Sequence, residues 1–286
     1  MKRRYSFKVG NFKCTLFKDY LYQYRIADYF QNISAEVAVQ ALEKYRLTEG
    51  LIPSPYVALL VETDNKKILV DTGLGKRSEI LEFKGHQFRF DGQLIPDLMS
   101  NSLLDKIDIV ILSHLHPDHA GGLFSEDKKC LFPNSKIIIH HAEWDYWHKD
   151  YKMGSSPVFD YTILEQVNPL KEHHLRLIDK PELEIAPGIN LIHIPGHTPG
   201  QLAVHLYSNG EDLLYISDAW LHPLHIEHLD WKNVFDLDHE LAKKTKLRLL
   251  NMAYANSMLV QSFHFDFPGL GHIDKLNNNW SWVNEE

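Results

Sequence analysis

The hydrophobic pattern of this chain predicts a protein built mainly on β-strands, with a small number of helices between them. The stretch YVALLVETDNKKILVDTG (56–73) contains two β-rich apolar runs on either side of Asp64 and Asn65. Two such runs around a short polar turn are typical of a β-hairpin. The sequence contains no internal repeat, low-complexity tract or Gly/Ser-rich linker. We therefore expect residues 1–286 to form a single domain.

Two stretches have the pattern of amphipathic helices that begin at a capping residue. SAEVAVQALEKY (34–45) places Ser34 before helix-favouring residues, and DHELAKKTKLRLLNMAYA (238–255) begins at Asp238. Serine and aspartate side chains accept hydrogen bonds from the free N–H groups in the first turn of a helix. We expect a helix over each stretch.

Four strand-like apolar runs are each followed by a side chain that can bind a metal ion. These runs and the residues that follow them are KIDIVILS (106–113) and His114, INLIHIPG (189–196) and His197, DLLYIS (212–217) and Asp218, and SMLVQSF (257–263) and His264. Loops at strand ends commonly gather functional side chains, because the sheet holds the loops in place. The pattern therefore predicts a polar site at the edge of a sheet.

The densest polar motif is HLHPDH at 114–119, which contains three histidines and an aspartate. In an extended segment His114 and His116 share one face and can bind the same ion. Pro117 then turns the chain and directs Asp118 and His119 towards a second ion. Imidazole and carboxylate ligands suit zinc and related divalent metals, and two ions about 3.5–4 Å apart are a known hydrolytic arrangement.

The residues at the other strand ends would complete this dinuclear centre. His197 would join the first set of ligands and His264 the second, and Asp218 could bridge the two ions. Such a pair of ions supplies a bridging hydroxide that can attack a carbonyl or phosphoryl centre. Asp118 could in addition orient the nucleophile or carry a proton to the leaving group. Asp71, at the end of another strand-like run, is expected to orient a ligand or hold a turn.

Composition and charge exclude several other classes of function. The 38 acidic residues exceed the 30 basic ones, for a formal net charge of -8, so we do not expect nucleic acid as a partner. No apolar run has the length or position of a secretory signal or a membrane span, and we predict a cytoplasmic protein without a membrane partner. Cys14 and Cys130 are expected to be reduced packing residues rather than a disulfide.

Five motifs occur along about 200 residues of the chain: DTG at 71–73, SHLHPDHAGG at 113–122, PGHTPG at 195–200, SDA at 217–219 and HFDFPGLGH at 264–272. Together and in this order they resemble the metallo-β-lactamase-fold hydrolases. The resemblance implies an α/β protein, a four-layer αβ/βα sandwich with two sheets face to face and a dinuclear site at one edge. It also implies the ligand sets, which are His114, His116 and His197 for one ion, Asp118, His119 and His264 for the other, and Asp218 as the bridge.

The stretches SDAWLHPLHIEH and FHFDFPGLGH are most similar to the branch that includes methyl parathion hydrolase and the quorum-quenching lactonases. Acyl-homoserine lactonases often carry a tyrosine three residues after the bridging aspartate, where this chain has Leu221 followed by His222. We assign His222 a catalytic role beside Asp118, in contact with the substrate, although it could instead belong to a turn before Pro223. Trp220 could line an apolar pocket or pack in the core.

These observations predict a metal-dependent hydrolase that acts on a neutral, ester-like small molecule. Lactones or aryl esters are the expected substrates, with phosphotriesters as a side activity, and zinc is the expected metal, with manganese, iron and cobalt as alternatives. Two other functions stay open: a thioester hydrolase of the glyoxalase II type, and a metal-binding or interaction module that is not an enzyme. The aromatic stretch 19–30 could pack on a partner subunit to form a homodimer, or could cover its own sheet.

Overall fold

The structure is a computed structural model that describes residues 2–26, 29–47, 50–277 and 279–285. The chain divides into two compact units that alternate along the sequence. The first comprises 1–20 and 56–182, and the second comprises 21–55 and 183–286. The prediction that residues 1–286 form one domain stays a prediction.

The first sheet is mixed and has the strand order β1-β2-β3-β4-β7-β8-β9. Its strands are β1 (Arg4–Val9), β2 (Phe12–Arg25), β3 (Leu51–Glu62), β4 (Lys67–Val70), β7 (Ile109–Ile111), β8 (Lys136–His140) and β9 (Leu175–Ile178). Strands β3 and β4 pair antiparallel around the predicted turn, which confirms the hairpin. Strands β4, β7, β8 and β9 run parallel to one another. A separate two-stranded hairpin contains β5 (Lys76–Phe83) and β6 (His86–Asp91).

The second sheet has its strands in sequence order, from β10 to β16. They are β10 (Glu182–Ala186), β11 (Ile189–His193), β12 (Leu202–Ser208), β13 (Glu211–Tyr215), β14 (Leu259–Gln261), β15 (Leu270–Leu276) and β16 (Asn279–Asn284). Strands β13 and β14 pair in parallel, because a long helical connection separates them in the sequence. The antiparallel pairs in this sheet include β11 with β12 and β15 with β16.

The helices are α1 (Ala35–Leu42), α2 (Leu94–Ser100), α3 (Pro117–Ala120), α4 (His141–Asp145), α5 (Pro157–Thr162), α6 (Leu224–Glu227) and α7 (His239–Ala255). Short 3₁₀ or π turns cover Glu43–Tyr45, Leu104–Lys106, Tyr146–Asp150, Ile163–Val167 and Asn168–Glu172. Both predicted helices are confirmed as α1 and α7. The side chain of Ser34 accepts a hydrogen bond from the N–H of Val37, and that of Asp238 from the N–H of Leu241.

Each unit contains its own hydrophobic core. In the first unit Leu69, Val110 and Ile137 belong to a cluster of buried residues from β4, β7 and β8. In the second unit the main cluster combines residues of β11 to β15 with the inner face of α7. A smaller cluster in that unit contains Tyr29 and Phe30 of the aromatic stretch, whose residues 27 and 28 lie outside the described residues. The two cysteines are free, as predicted.

A buried carboxylate on β2 ties two loops of the first unit together. Asp19 accepts hydrogen bonds from the backbone N–H of Leu74, after β4, and of Leu94, at the start of α2, each at 2.7 Å. Burial raises the pKa of the Asp19 carboxyl to about 6, although these N–H groups act in the opposite direction. Gly73 packs against the same carboxylate, and a Cβ at this position would lie 2.6 Å from Oδ2 of Asp19.

We predict that Gly73→Ala destabilises the protein more than Gly85→Ala does. Both glycines have positive φ, +70° and +77°, but a Cβ at Gly85 would meet nothing within 4 Å. Each substitution carries the backbone cost of about 1–2 kcal/mol, and the clash with Asp19 adds about 1–3 kcal/mol to Gly73→Ala alone. Urea unfolding of the two variants measures the difference. Equal losses would show that Asp19 does not restrict this loop.

Candidate metal centre

The loop after β7 brings the predicted imidazoles of the HLHPDH motif together. Pro117 begins α3 directly after His116, which produces the change of direction that the sequence predicts. The ring centroids of His114 and His116 are 4.4 Å apart, and those of His114 and His119 are 4.0 Å apart. All three histidines are buried. Short spacing along the chain therefore produces a dense group of candidate nitrogen ligands.

Asp71 orients this loop, as the sequence suggested. Its Oδ2 accepts hydrogen bonds from Nδ1 of His119 and from Oγ of Ser113, each at 2.8 Å, and its Oδ1 accepts one from the backbone N–H of Ser113 at 2.8 Å. Because an ionised carboxylate only accepts hydrogen bonds, Nδ1 of His119 carries the proton. Nε2 is then the ring nitrogen of His119 that can serve as a metal ligand.

Glu143 is a supporting residue that the sequence did not reveal. It is fully buried on α4, and its Oε1 accepts hydrogen bonds from the backbone N–H of Leu115 at 3.0 Å and from Nε1 of Trp147 at 2.7 Å. Leu115 stands between His114 and His116, so this contact fixes the backbone of the motif itself. A lone glutamate far along the sequence carries no pattern that would reveal this role.

The second unit places Asp218 beside two histidines. His197 follows β11, Asp218 follows β13 and His264 follows β14, so the predicted strand ends are confirmed, with strands shorter than the apolar runs. Oδ2 of Asp218 lies 3.5 Å from Nε2 of His197 and 3.2 Å from Nε2 of His264. One carboxylate oxygen therefore faces two imidazole nitrogens, which is the position that a shared ligand needs.

The Nδ1 atoms of these two histidines have buried partners. Ser54 Oγ lies 2.8 Å from Nδ1 of His264, and Asp236 Oδ1 accepts a hydrogen bond from Nδ1 of His197 at 3.1 Å. Lys246 Nζ donates to the other oxygen of Asp236 at 2.7 Å. Burial alone would raise the pKa of the Asp236 carboxyl, but the Lys246 ammonium and His197 outweigh burial and hold that pKa well below its usual range. Sequence reasoning missed Asp236 and Lys246.

The candidate ligand atoms form two groups, and within each group they all lie within 4.8 Å of one another. The groups are His114, His116, His197 and Asp218, and Asp118, His119, Asp218 and His264. Asp218 belongs to both. Neutral imidazoles and carboxylates in sets of four match the ligands that divalent transition metals take in proteins. The donor set therefore fits two divalent metal ions.

His222 lies in a buried environment in the second unit. It is 7% exposed, its Nδ1 accepts a hydrogen bond from the N–H of Leu224 at 3.2 Å, and its ring meets that of Tyr45 edge to face at 4.8 Å. Burial, with a smaller contribution from Lys44, lowers the pKa of His222 to about 3. The imidazole is therefore neutral at physiological pH. Trp220 is fully buried in a core cluster, which supports the core role that the sequence left open.

Comparison with known proteins identifies the class of the molecule. The family model of the metallo-beta-lactamase superfamily matches residues 51–260, which is most of the chain. The chain belongs to this superfamily, and it is a metal-dependent hydrolase with the metallo-β-lactamase fold. This confirms the fold and the enzyme class that its motifs predict.

The most similar relatives include bacterial lactonases. An N-acyl homoserine lactonase of a Bacillus species is 30% identical over 191 residues, which cover 61% of this chain and 68% of that protein. The N-acyl homoserine lactonase AiiB of Rhizobium rhizogenes is 31% identical over 197 residues, which cover 62% of this chain and 67% of that protein. The predicted resemblance to quorum-quenching lactonases is confirmed.

Solved structures share the fold over the whole chain. The structure of AidC, described as a dizinc quorum-quenching lactonase in complex with a product, superposes with a TM-score of 0.84 and 23% identity, and the match covers 99% of this chain and 97% of AidC. The hydrolase AbOPH gives a TM-score of 0.85 at 21% identity, with 100% and 98% covered. At these identities the likeness shows the fold alone.

We predict that Asp71→Asn weakens metal binding by about 10–100-fold, because an asparagine NH₂ group facing Nδ1 of His119 no longer holds the metal-binding tautomer. Competition with a chelator measures the affinity, and circular dichroism checks the fold. Asp212→Asn is the matched control, since Asp212 pairs with Nε2 of His205 in a partly exposed pair on β12 and β13. An unchanged metal affinity in Asp71→Asn would contradict the assigned role.

Proposed function

We propose that this protein hydrolyses the ester bond of a lactone at a dinuclear metal centre, and that N-acyl homoserine lactones are the first substrates to test. The observation that carries the proposal is the pair of four-residue ligand groups that share Asp218. Two relatives at 30% and 31% identity are named N-acyl homoserine lactonases, which supports the substrate class. Aryl esters are the next class that we expect the enzyme to accept.

In this proposal each candidate residue has a defined role at the centre. His114, His116 and His197 would hold one ion, Asp118, His119 and His264 would hold the other, and Asp218 would serve both. We propose zinc as the native metal, because histidine and carboxylate ligands suit it and AidC is described as a dizinc enzyme. Manganese, iron and cobalt are the alternatives that metal analysis would distinguish.

In the proposed reaction the metal ions and the protein side chains have different tasks. Two divalent ions held by these residues would lower the pKa of a bound water towards neutrality and polarise the ester carbonyl. Asp118, whose Oδ2 lies 3.7 Å from Nε2 of His119, is placed to take one proton from the water as its oxygen bonds to the carbonyl carbon, and to return that proton to the ring oxygen as the ring C–O bond breaks. The products are a carboxylate and a hydroxyl on the same molecule, and the second proton of the water is released to solvent. The Asp118 side chain keeps 13% exposure, so it can exchange a proton.

We propose that His222 contacts the substrate rather than a metal ion. Its low pKa keeps it neutral, so it can meet an uncharged substrate without carrying a charge into an apolar environment. The edge-to-face contact with Tyr45 holds the ring in one orientation. This arrangement suits a residue that selects among acyl groups.

Two further expectations belong to this proposal. We propose a cytoplasmic location and a homodimer, with a small-molecule substrate as the ligand. None of the helices among the described residues is long and apolar enough to cross a membrane. Size-exclusion chromatography with light scattering measures the oligomeric state directly.

We predict that the metal-replete protein binds two ions per chain and hydrolyses lactones better than thioesters or phosphotriesters. Asp218→Ala should lower the turnover by about 100-fold or more and release at least one ion, because both groups of ligands lose a member. Elemental analysis and a substrate panel measure these effects, with Asp64→Ala in the β3-β4 turn as the control. Binding of one ion in the wild type would refute the dinuclear proposal, and a preference for thioesters would favour the glyoxalase II alternative.

We predict that His222→Ala changes the ratio of kcat/KM values between short and long acyl chains by about 10-fold, a typical effect of one altered pocket contact. The variant should retain two ions per chain. Since the pKa of His222 is about 3, the group does not titrate above pH 5, and the pH profiles of variant and wild type should have the same shape there. A uniform loss across all substrates, in step with a loss of stability, would assign His222 a purely structural role.

A further inference from the structure

Helix α7 buries a lysine near the loop that carries His197. The Lys246 side chain is only 6% exposed, and it lies among Ala242, Leu249 and Ala253 on the inner face of the helix. Lysine is rarely buried unless its charge is paired. Here Nζ donates to Oδ2 of Asp236 at 2.7 Å, and the Asp236 side chain is itself 2% exposed.

The buried pair continues directly to a candidate metal ligand. Oδ1, the second oxygen of Asp236, accepts a hydrogen bond from Nδ1 of His197 at 3.1 Å. The remaining ring nitrogen of His197, Nε2, lies 3.5 Å from Oδ2 of Asp218. The Lys246 ammonium, the Asp236 carboxylate and the His197 imidazole thus form one buried chain of hydrogen bonds. The chain ends at Nε2 of His197, the nitrogen that faces Asp218.

We infer that Lys246 is a positioning residue that strengthens the binding of the ion held by His197, an inference that rests on the dinuclear site proposed above. With Nζ on Oδ2, the carboxylate of Asp236 keeps Oδ1 directed at Nδ1 of His197. The ring is then held with Nε2 towards the ligand position. Hydrogen-bond partners behind a ligating histidine typically change metal affinity by about 10–100-fold.

Helix α7 and its N-terminal cap also contact the His197 loop through groups other than Lys246. Oγ1 of Thr245 donates to the backbone carbonyl of Pro195 at 2.6 Å, and the N–H of Asp238 donates to that of Gly196 at 2.9 Å. A Cβ on Gly196 would lie 2.3 Å from the backbone nitrogen of Ala242. Uncharged contacts therefore also hold the loop that carries His197.

The test is a Co²⁺ titration of Lys246→Met, followed by visible absorption and by competition with a chelator. Methionine preserves the length and the apolar packing of the side chain but removes the ammonium. We expect one of the two ions to bind at least about 10-fold more weakly, with the other within about 3-fold of the wild type, because His197 belongs to one of the two ligand groups. The visible absorption of the Co²⁺ ion at the weakened site should change as its affinity falls.

Two control variants separate positioning from loosening of the helix. Lys243→Met removes an ammonium one turn earlier on α7, where Lys243 is 42% exposed and pairs with Asp230. Thr245→Val removes an uncharged contact to the loop and leaves the Lys246–Asp236–His197 chain intact. Both should bind two Co²⁺ ions with affinities within about 3-fold of the wild type. If Thr245→Val weakens the same ion as much as Lys246→Met does, the role of Lys246 is structural and the inference is wrong.

Removal of one partner from a buried ion pair can prevent folding, because it strands a buried charge. The double variant Lys246→Met/Asp236→Asn removes both charges and leaves an amide oxygen that can still accept from His197. We expect it to bind one ion at least about 10-fold more weakly than the wild type and within about 3-fold of Asp236→Asn alone, because Lys246 acts through the Asp236 carboxylate. Wild-type affinity for both ions, or a further loss of about 10-fold beyond Asp236→Asn, would overturn the inference. The wild-type titration separates this failure from failure of the proposed function, since a wild type that binds fewer than two ions refutes the site itself.

Discussion

Hydrogen bonds behind the candidate ligand nitrogens are the constraint on which the proposed metal centre depends. A histidine ligand must present one ring nitrogen with a free lone pair, and its other nitrogen needs a partner that fixes the ring and the tautomer. His119 has Asp71 in this position, His197 has Asp236 and His264 has Ser54. The partners come from strand ends and loops remote in sequence from their histidines, so the fold must place both members of each pair.

This constraint accounts for the burial of Asp71 and Asp236, whose carboxylates accept hydrogen bonds from His119 and His197. Burial penalises the charge of Asp236, and the neighbouring Lys246 and His197 reverse the effect. Backbone N–H groups offset only part of the effect of burial on the Asp19 carboxyl, and its pKa is raised as a result. The comparison shows two ways of using a buried carboxylate. The Asp236 carboxylate faces a candidate ligand, His197, whereas that of Asp19 binds backbone N–H groups of two loops.

The sequence predicts the parts of the site that depend on local spacing. His114, His116, Asp118 and His119 stand within six positions, and the apolar runs before His197, Asp218 and His264 reveal their strand-end positions. The hairpin at Asp64 and the caps at Ser34 and Asp238 follow from equally local rules. The residues that hydrogen-bond to the motif or to its histidines cannot be predicted from local spacing. Asp236 is 39 positions from His197 and Glu143 is 28 positions from Leu115, and neither pair has a spacing that marks contact.

The proposed metal ligands and the proposed substrate contact depend on different parts of the chain. The family match spans 51–260 and contains every proposed ligand except His264, so most of the proposed metal site lies in the part of the chain that the superfamily shares. Tyr45, which fixes the ring of His222, precedes that region. Its hydroxyl donates to Glu227, which also pairs with Lys44. A segment outside the match therefore holds α6 and the residue to which we assign substrate contact. Because ligands define a reaction and the surrounding side chains define what reaches them, differences in substrate among relatives should arise from segments such as this one rather than from the ligands.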